Sequence, residues 1–289
     1  MGNNHSSSKR KSQKNELKYY LPNSYDDIDR IHMFHFFQKY LFQNNFSSPI
    51  EECLNQGECK VLDIGCGPGT WLLDLANKYE NSFFYGIDNI SVHPNEIIKP
   101  GNLNFVKADI FDGLPFHDNE FDFVHQGSAY PASIKTDQWN FVISEMIRVT
   151  KPGGYIEFFE RGGDFKGTGP VLRRIQEAHI SSCLEKGVDM KMPSKLENII
   201  KSNQNTPIVY KDEKFYVSGP NGGKVGMVFQ DIYIGFHSNK IVMENLSPIL
   251  GISYEEYKTL ITKDLIEELK HTSPEYSLIR FWAKKINNN

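Results

Sequence analysis

One stretch of the chain has the residue types and spacing to hold a ligand: Val61-Leu62-Asp63-Ile64-Gly65-Cys66-Gly67-Pro68-Gly69-Thr70-Trp71. An apolar run enters a turn with glycine at every second position, and a helical pattern follows. Glycine tolerates positive φ and, having no Cβ, lets a ligand come close to the backbone. A dinucleotide-binding turn needs glycine where this chain has Thr70, and a phosphate loop needs a Gly-Lys-Ser/Thr ending. Neither is present, and Pro68 removes one amide that a phosphate would use. The turn is therefore shaped for something other than pyrophosphate. Asp88 lies 19 residues beyond Gly69, at the end of the next apolar run. A carboxylate there is placed to accept two hydrogen bonds from a ribose diol. Asp109 follows a third such run, where it can accept from an adenine amino group. Two acids, a glycine turn and no phosphate-binding lysine suit an adenosine whose 5′ substituent is not a phosphate.

Strands and helices must carry these residues. Residues 60–64, 82–87, 104–107, 121–125 and 155–160 read as strands, separated by helical patterns at 71–79 and 137–149. Lys151-Pro152-Gly153-Gly154 is expected to stop the second of these helices in a turn. Such alternation predicts βαβ units around a parallel sheet covered on both faces. A helix is expected over 171–186, ended by Gly187, and a sixth strand over 208–217. Helices follow at 226–245 and 254–270, the latter opened by the capping-box pattern Ser253…Glu256. Residues 277–285 are expected to form a seventh strand, antiparallel and paired with the sixth. Ahead of the sheet, Ser24 is a candidate N-cap for an aromatic helix over 25–42. His32 and His35 on that helix, and His125, read as packed core histidines, and Cys66 as a small residue in a tight turn.

The 289 residues are 39% hydrophobic and 24% charged, which provides for a sizeable core and excludes wholesale disorder. Net charge is −4, unevenly spread. Lys9, Arg10, Lys11, Lys14 and Lys18 face only Glu16 in residues 1–20, and the remainder holds 27 basic and 35 acidic side chains. An acidic body speaks against a nucleic-acid partner. Residues 1–18 are polar and aperiodic and are expected to be a disordered basic arm. Met1-Gly2-Asn3-Asn4-His5-Ser6 fits the myristoylation pattern, making Gly2 a candidate lipidation site. Four cysteines match neither a disulfide framework nor a metal-ligand spacing, so reduced thiols and a cytoplasmic location are expected, with no metal. Two other locations stay open: a peripheral membrane position through residues 2–14, and the nucleus through Lys9-Arg10-Lys11.

S-adenosylmethionine is an adenosine of the kind the turn and its acids suit, and the motif order carries a resemblance. Val61–Gly69, Phe84–Asn89, Val106–Asp109, Phe121–Gln126 and Arg148–Glu157 resemble, in sequence order, the class I S-adenosylmethionine-dependent methyltransferases. More narrowly, three segments are similar to the fungal LaeA-like methyltransferases: 28–35, Ser48-Pro49-Ile50, and 113–126 with its Gly113-Leu114-Pro115-Phe116. The resemblance implies an α/β fold with a Rossmann-like, seven-stranded, doubly wound sheet. It divides the chain into an N-terminal helical cap over 19–54 and a methyltransferase domain over 55–285, with a helical insertion at 220–275 before the last strand. It implies that Gly65, Gly67 and Gly69 lie under the methionine moiety, with Asp63 reaching its amino group through backbone or water. Asp88 would hold the ribose, Asn89 would lie beside adenine, and Asp109 would meet the adenine amino group near the Ile110 amide. Gln126 would face the methionine end. The acceptor is an unidentified small molecule or protein. The sequence names no catalytic base, since Gln126-Gly127-Ser128-Ala129-Tyr130-Pro131 lacks the Asn/Asp-Pro-Pro-aromatic tetrad of several nitrogen methyltransferases. A cofactor-binding regulator with little turnover is the alternative.

Overall fold

The computed structural model describes residues 25–90, 99–127, 134–162 and 166–286. The basic arm with Gly2, the Ser24 cap and the Ser128–Pro131 stretch lie outside them. Seven strands form one sheet: β1 (Lys60–Ile64), β2 (Phe83–Asp88), β3 (Leu103–Lys107), β4 (Phe121–Gln126), β5 (Thr150–Arg161), β6 (Val209–Val217) and β7 (Glu275–Lys284). Their order is β3-β2-β1-β4-β5-β7-β6, and β7 runs antiparallel between β5 and β6. The expected seventh strand is present. Its sequence alternates only in part because it lies between β5 and β6 with helices on both faces, which buries it from Tyr276 to Phe281.

Helices cover both faces. On one side α4 (Trp139–Val149) and α6 (Pro193–Ser202) pack on β4, β5 and β7 through Val142, Met146, Leu196, Phe158 and Phe281. On the other lie α1 (Tyr25–Phe42), α2 (Glu51–Gln56), α3 (Thr70–Lys78), α5 (Pro170–Glu185) and α7 (Gly223–His237). Between β6 and β7 the chain continues from α7 into α8 (Lys240–Leu250), α9 (Tyr254–Thr259) and α10 (Leu265–Leu269). The Ser253–Glu256 capping box forms as expected.

Two local expectations need correction, and one helix was not expected. The Lys151–Gly154 segment is not a turn between helix and strand, because β5 already begins at Thr150 and runs through it. Thr150 pairs with Phe121 and Tyr155 with Phe123, so the segment is a bulge whose Gly153 takes φ +84°. The single helix expected over 226–245 is two helices, α7 and α8. Asn239 starts the second by accepting from the amides of Ile241 and Val242, a cap stronger than the apolar pattern running across it. Helix α6, whose Pro193 occupies a first-turn position, had no expectation at all.

Helix α1 is tied to the sheet by specific contacts. His35, Lys39 and Asn45 all reach the Asp74 carboxylate on α3, with Lys39 Nζ at 2.6 Å. The His35 hydrogen bond foremost, then Lys39 and Asn45, hold that carboxyl well below the usual range. Phe37 packs edge-on to Tyr216, and Phe34 on Phe159. The Ser47–Ser48 backbone then closes on Glu157 of β5.

Candidate functional site

The sheet order brings the ends of β3, β2, β1 and β4 side by side, and each end carries one of the residues singled out above. Ile64 pairs with Ile87 on one side and Gln126 on the other, so Asp88 stands just beyond Ile64 and Gln126 level with it. Asp88 pairs with Lys107, which sets Asp109 two residues further along β3. Neighbouring strands lie about 4.8 Å apart, so from Asp109 to Gln126 the edge spans about 14 Å.

Gly65, Gly67 and Gly69 take φ of +70°, +53° and +76°, a left-handed series open to glycine at little strain. The turn's amides are engaged internally. Gly65 N and Cys66 N donate to Ile87 O, Gly67 N to Asp88 Oδ2 at 2.9 Å, and Gly69 N to Cys66 O. Pro68 has none to give. This is the physical content of the missing phosphate motif: no amide of Gly65–Gly69 is left for an anion. A Cβ built on Gly67 would meet nothing within 4 Å, so the space beside it is open to a ligand. At Gly69 the reason for glycine is different, since a Cβ there would lie 2.5 Å from the Phe105 ring.

Asp88 braces this turn from outside. Its second oxygen accepts from Ile90 N at 3.0 Å, and burial raises its carboxyl against those two amides. Asn89 beside it is exposed. Asp109 caps the short turn Ile110–Asp112 by accepting from Phe111 N, with Ile110 half-buried. Gln126 is buried, its amide nitrogen donates to Gly127 O, and its Oε1 has no hydrogen-bond partner. A buried acceptor without a donor at this edge is complementary to a ligand amine or hydroxyl.

Asp63 has a partner that the sequence did not indicate. His125 Nδ1 lies 2.8 Å from its Oδ1, and both residues are buried. The imidazole stacks on Trp71, centroids 4.1 Å apart, and Trp71 Nε1 donates to Asn45 O. Asp63 thus ties β1 to β4 beneath the turn. His32 reaches the turn as well, its Nδ1 2.6 Å from Thr70 Oγ1, which fixes α1 beside the site. The four cysteines are free thiols, and burial pushes that of Cys66 well up, as suits a small packed residue. At the opposite sheet edge Cys53, Cys59 and Asp122 have ligand atoms within 4.8 Å of one another, but Asp122 is bound by Lys151 and the Lys60 amide.

A second concavity, about 280 Å³, opens where β5 ends, walled in part by Trp139, Tyr216, Tyr233 and Tyr276. Glu160 lines it, a residue to which the sequence reading attached no function, since one acid in an apolar strand carries no signal by itself.

Comparison with known proteins agrees with this geometry. Residues 61–154 match the model of a methyltransferase domain. The N-methyltransferase verN of Clonostachys rogersoniana is 29% identical over 155 residues, covering 53% of each chain. The secondary metabolism regulator LAE1 of Cochliobolus heterostrophus is 32% identical over 103 residues, 35% of this chain and 32% of that protein. The chain thus spans about half of the first relative and about a third of the second. Its fold is shared with a chain from the complex of a Haloferax volcanii methyltransferase activator with a methyltransferase. There the TM-score is 0.50 at 14% identity, over 91% of this chain and 94% of that one. The fold is the Rossmann-like fold of class I methyltransferases, and the matched methyltransferase-domain stretch is a third of the chain. Within that class the chain resembles the LaeA-like methyltransferases.

Proposed function

We propose that the protein transfers a methyl group from S-adenosylmethionine to an acceptor nucleophile. The observation that carries this reading is the row of four strand ends with Asp109, Asp88, the glycine turn and Gln126, in which the turn's own amides are all engaged. Such an edge suits an adenosine with a non-phosphate 5′ group. Asp109 and the Ile110 amide would hold the adenine amino group and Asn89 would lie along the base. Asp88 would hold the ribose diol. Gly65, Gly67 and Gly69 would pass under the methionine chain, Asp63 would act on its amino group through backbone or water, and Gln126 Oε1 would accept from that end. When bound, the cofactor supplies a sulfonium methyl carbon with a good leaving group. The protein's part is then alignment and exclusion of water, and α7 with its following helices stands where a lid over the acceptor would.

The test has two stages. Calorimetry should show binding of S-adenosylmethionine and S-adenosylhomocysteine and none of NAD; the opposite pattern sinks the reading. Mass spectrometry of cell extract incubated with the protein and isotope-labelled methyl donor should then reveal a labelled acceptor. Binding without a labelled product would favour the second reading, a cofactor-binding regulator, which the LAE1 and laeA relatives, secondary metabolism regulators, support.

We further propose a cytoplasmic protein that meets membranes peripherally through a myristoylated Gly2. No helix among the described residues is long and apolar enough to cross a membrane. One acyl chain binds marginally, and Lys9, Arg10, Lys11 and Lys14 would add about 1 kcal/mol each at an anionic surface. Labelling with an azido-myristate analogue should mark wild type and spare Gly2→Ala. An unlabelled wild type removes the proposal and leaves the arm without a membrane role.

A further inference from the structure

The cavity at the end of β5 lies on the same edge as the cofactor site. Gln126 of β4 pairs with Phe158 of β5, and Glu160 is two residues further on, so Gln126, Phe158 and Glu160 share one sheet face. β5 is two strand spacings from β1, which places Glu160 about 10 Å to the side of the glycine turn. Trp139 of α4 packs on Phe158 and joins the cavity wall. Tyr216 from β6, Tyr276 from β7, and Tyr233 and Phe236 from α7 line the far side of the same cavity, on the sheet face of Arg161.

Glu160 is the anomaly in that lining. It is 5% exposed, and its carboxyl accepts no hydrogen bond among the described residues. Burial pushes its carboxyl up to about 8, against the lowering effect of Arg161. Arg161 follows it on the alternate face of the strand, its guanidinium 4.9 Å over the Phe34 ring. The other groups at the wall are not competing acids. Asp189 pairs with Lys195 at 2.8 Å, and burial holds His179 and His237 neutral, His179 down to about 3. A buried acceptor lacking a donor is costly to folding. In a cavity beside a reaction centre it marks a place for a ligand donor.

We propose that this cavity takes the methyl acceptor, and that the acceptor is an amine on an aromatic body whose N–H donates to the Glu160 carboxylate. The inference rests on the methyltransferase reading above. An amine carries both features the site asks for, an N–H for the acid and a lone pair left free for the methyl carbon, while the ring faces cover its apolar body. The nitrogen lone pair bonds to the methyl carbon, and the carbon–sulfur bond breaks with its electron pair remaining on sulfur. Above about pH 8, where Glu160 is ionised, the proton of the resulting alkylammonium passes to its carboxylate, so charge and atoms balance without any further reactant.

Calorimetry on the full chain tests this, with S-adenosylhomocysteine titrated first and phenethylamine or tryptamine second. The loaded wild type should bind both amines, and 2-phenylethanol, which has the ring without the nitrogen, should bind at least about tenfold more weakly. Glu160→Gln keeps the side chain's shape and removes a buried acid. It should weaken the amines about tenfold or more while S-adenosylhomocysteine affinity, which also reports an intact fold, stays unchanged. Equal amine binding by Glu160→Gln, equal binding of the alcohol, or no amine binding to the loaded wild type would overturn the proposal and leave the cofactor reading standing. Failure of S-adenosylhomocysteine itself to bind would remove both.

Discussion

Asp88→Ala is expected to lower affinity for S-adenosylhomocysteine by about 30- to 1,000-fold, the equivalent of about 2–4 kcal/mol, in a chain that still folds. Two effects combine in that figure. The carboxylate would be the ribose acceptor, and hydrogen bonds to a charged group are the stronger kind. The same carboxylate also braces the ligand's cradle, with one oxygen on Gly67 N and the other on Ile90 N. Alanine leaves the Gly67 amide without its acceptor and loosens the middle of a turn whose other amides stay held by Ile87 O and Cys66 O. Folding suffers less, because Asp88 ends its strand and β2 keeps its ladders to β1 and β3. Asp88→Asn, with one acceptor oxygen retained, should fall between. Calorimetry with a thermal melt on each variant checks this, and affinity within about threefold of wild type for alanine would place the cofactor elsewhere.

Glu157→Ala should have the largest effect on stability, about 3–5 kcal/mol, out of a total that for most domains is about 5–15 kcal/mol. Glu157 is 0% exposed in the middle of β5. It accepts from Ser47 N at 3.0 Å, Ser48 N at 2.7 Å and Ser48 Oγ at 2.6 Å. Across from it the buried Arg280 guanidinium comes to 3.7 Å, donates to Asn44 O and lies 4.1 Å over the Phe42 ring. Removing the carboxylate strands two amides and a cation in a place without water. Glu157→Gln should do little better, because its NH₂ would face groups that already donate. The clamp joins the segment after α1 to the sheet, so α1 should loosen first. Urea unfolding followed by hydrogen exchange measures both, and a loss under about 1 kcal/mol would show that the Ser47–Ser48 segment is held by something else.

That clamp gives the Ser48-Pro49-Ile50 motif a physical meaning that resemblance alone could not supply. The motif was legible as a pattern. Its partner, 109 residues away, was not.

What the sequence alone determined is whatever neighbouring residues decide among themselves. Glycines at 65, 67 and 69 after an apolar run set a strand ending in a left-handed turn, because sterics act within one or two residues. The absence of a phosphate motif, the Ser253 capping box and the place of the strands, apart from the start of β5, follow from equally local preferences. Even β7 could be read, since Glu275–Lys284 had to pair with something and β6 offered an edge. The tertiary structure decided everything that depends on which strand lies beside which. Only the order β3-β2-β1-β4-β5-β7-β6 lines up Asp109, Asp88 and Gln126 on one edge. Only the β1–β4 register puts His125 across from Asp63 and commits that acid to the fold. Glu160 is the clearest case. In the sequence it is one acid in an apolar strand, and its carboxyl's lack of a partner arises from four helices and two strands closing around it, a matter of packing that no local pattern encodes.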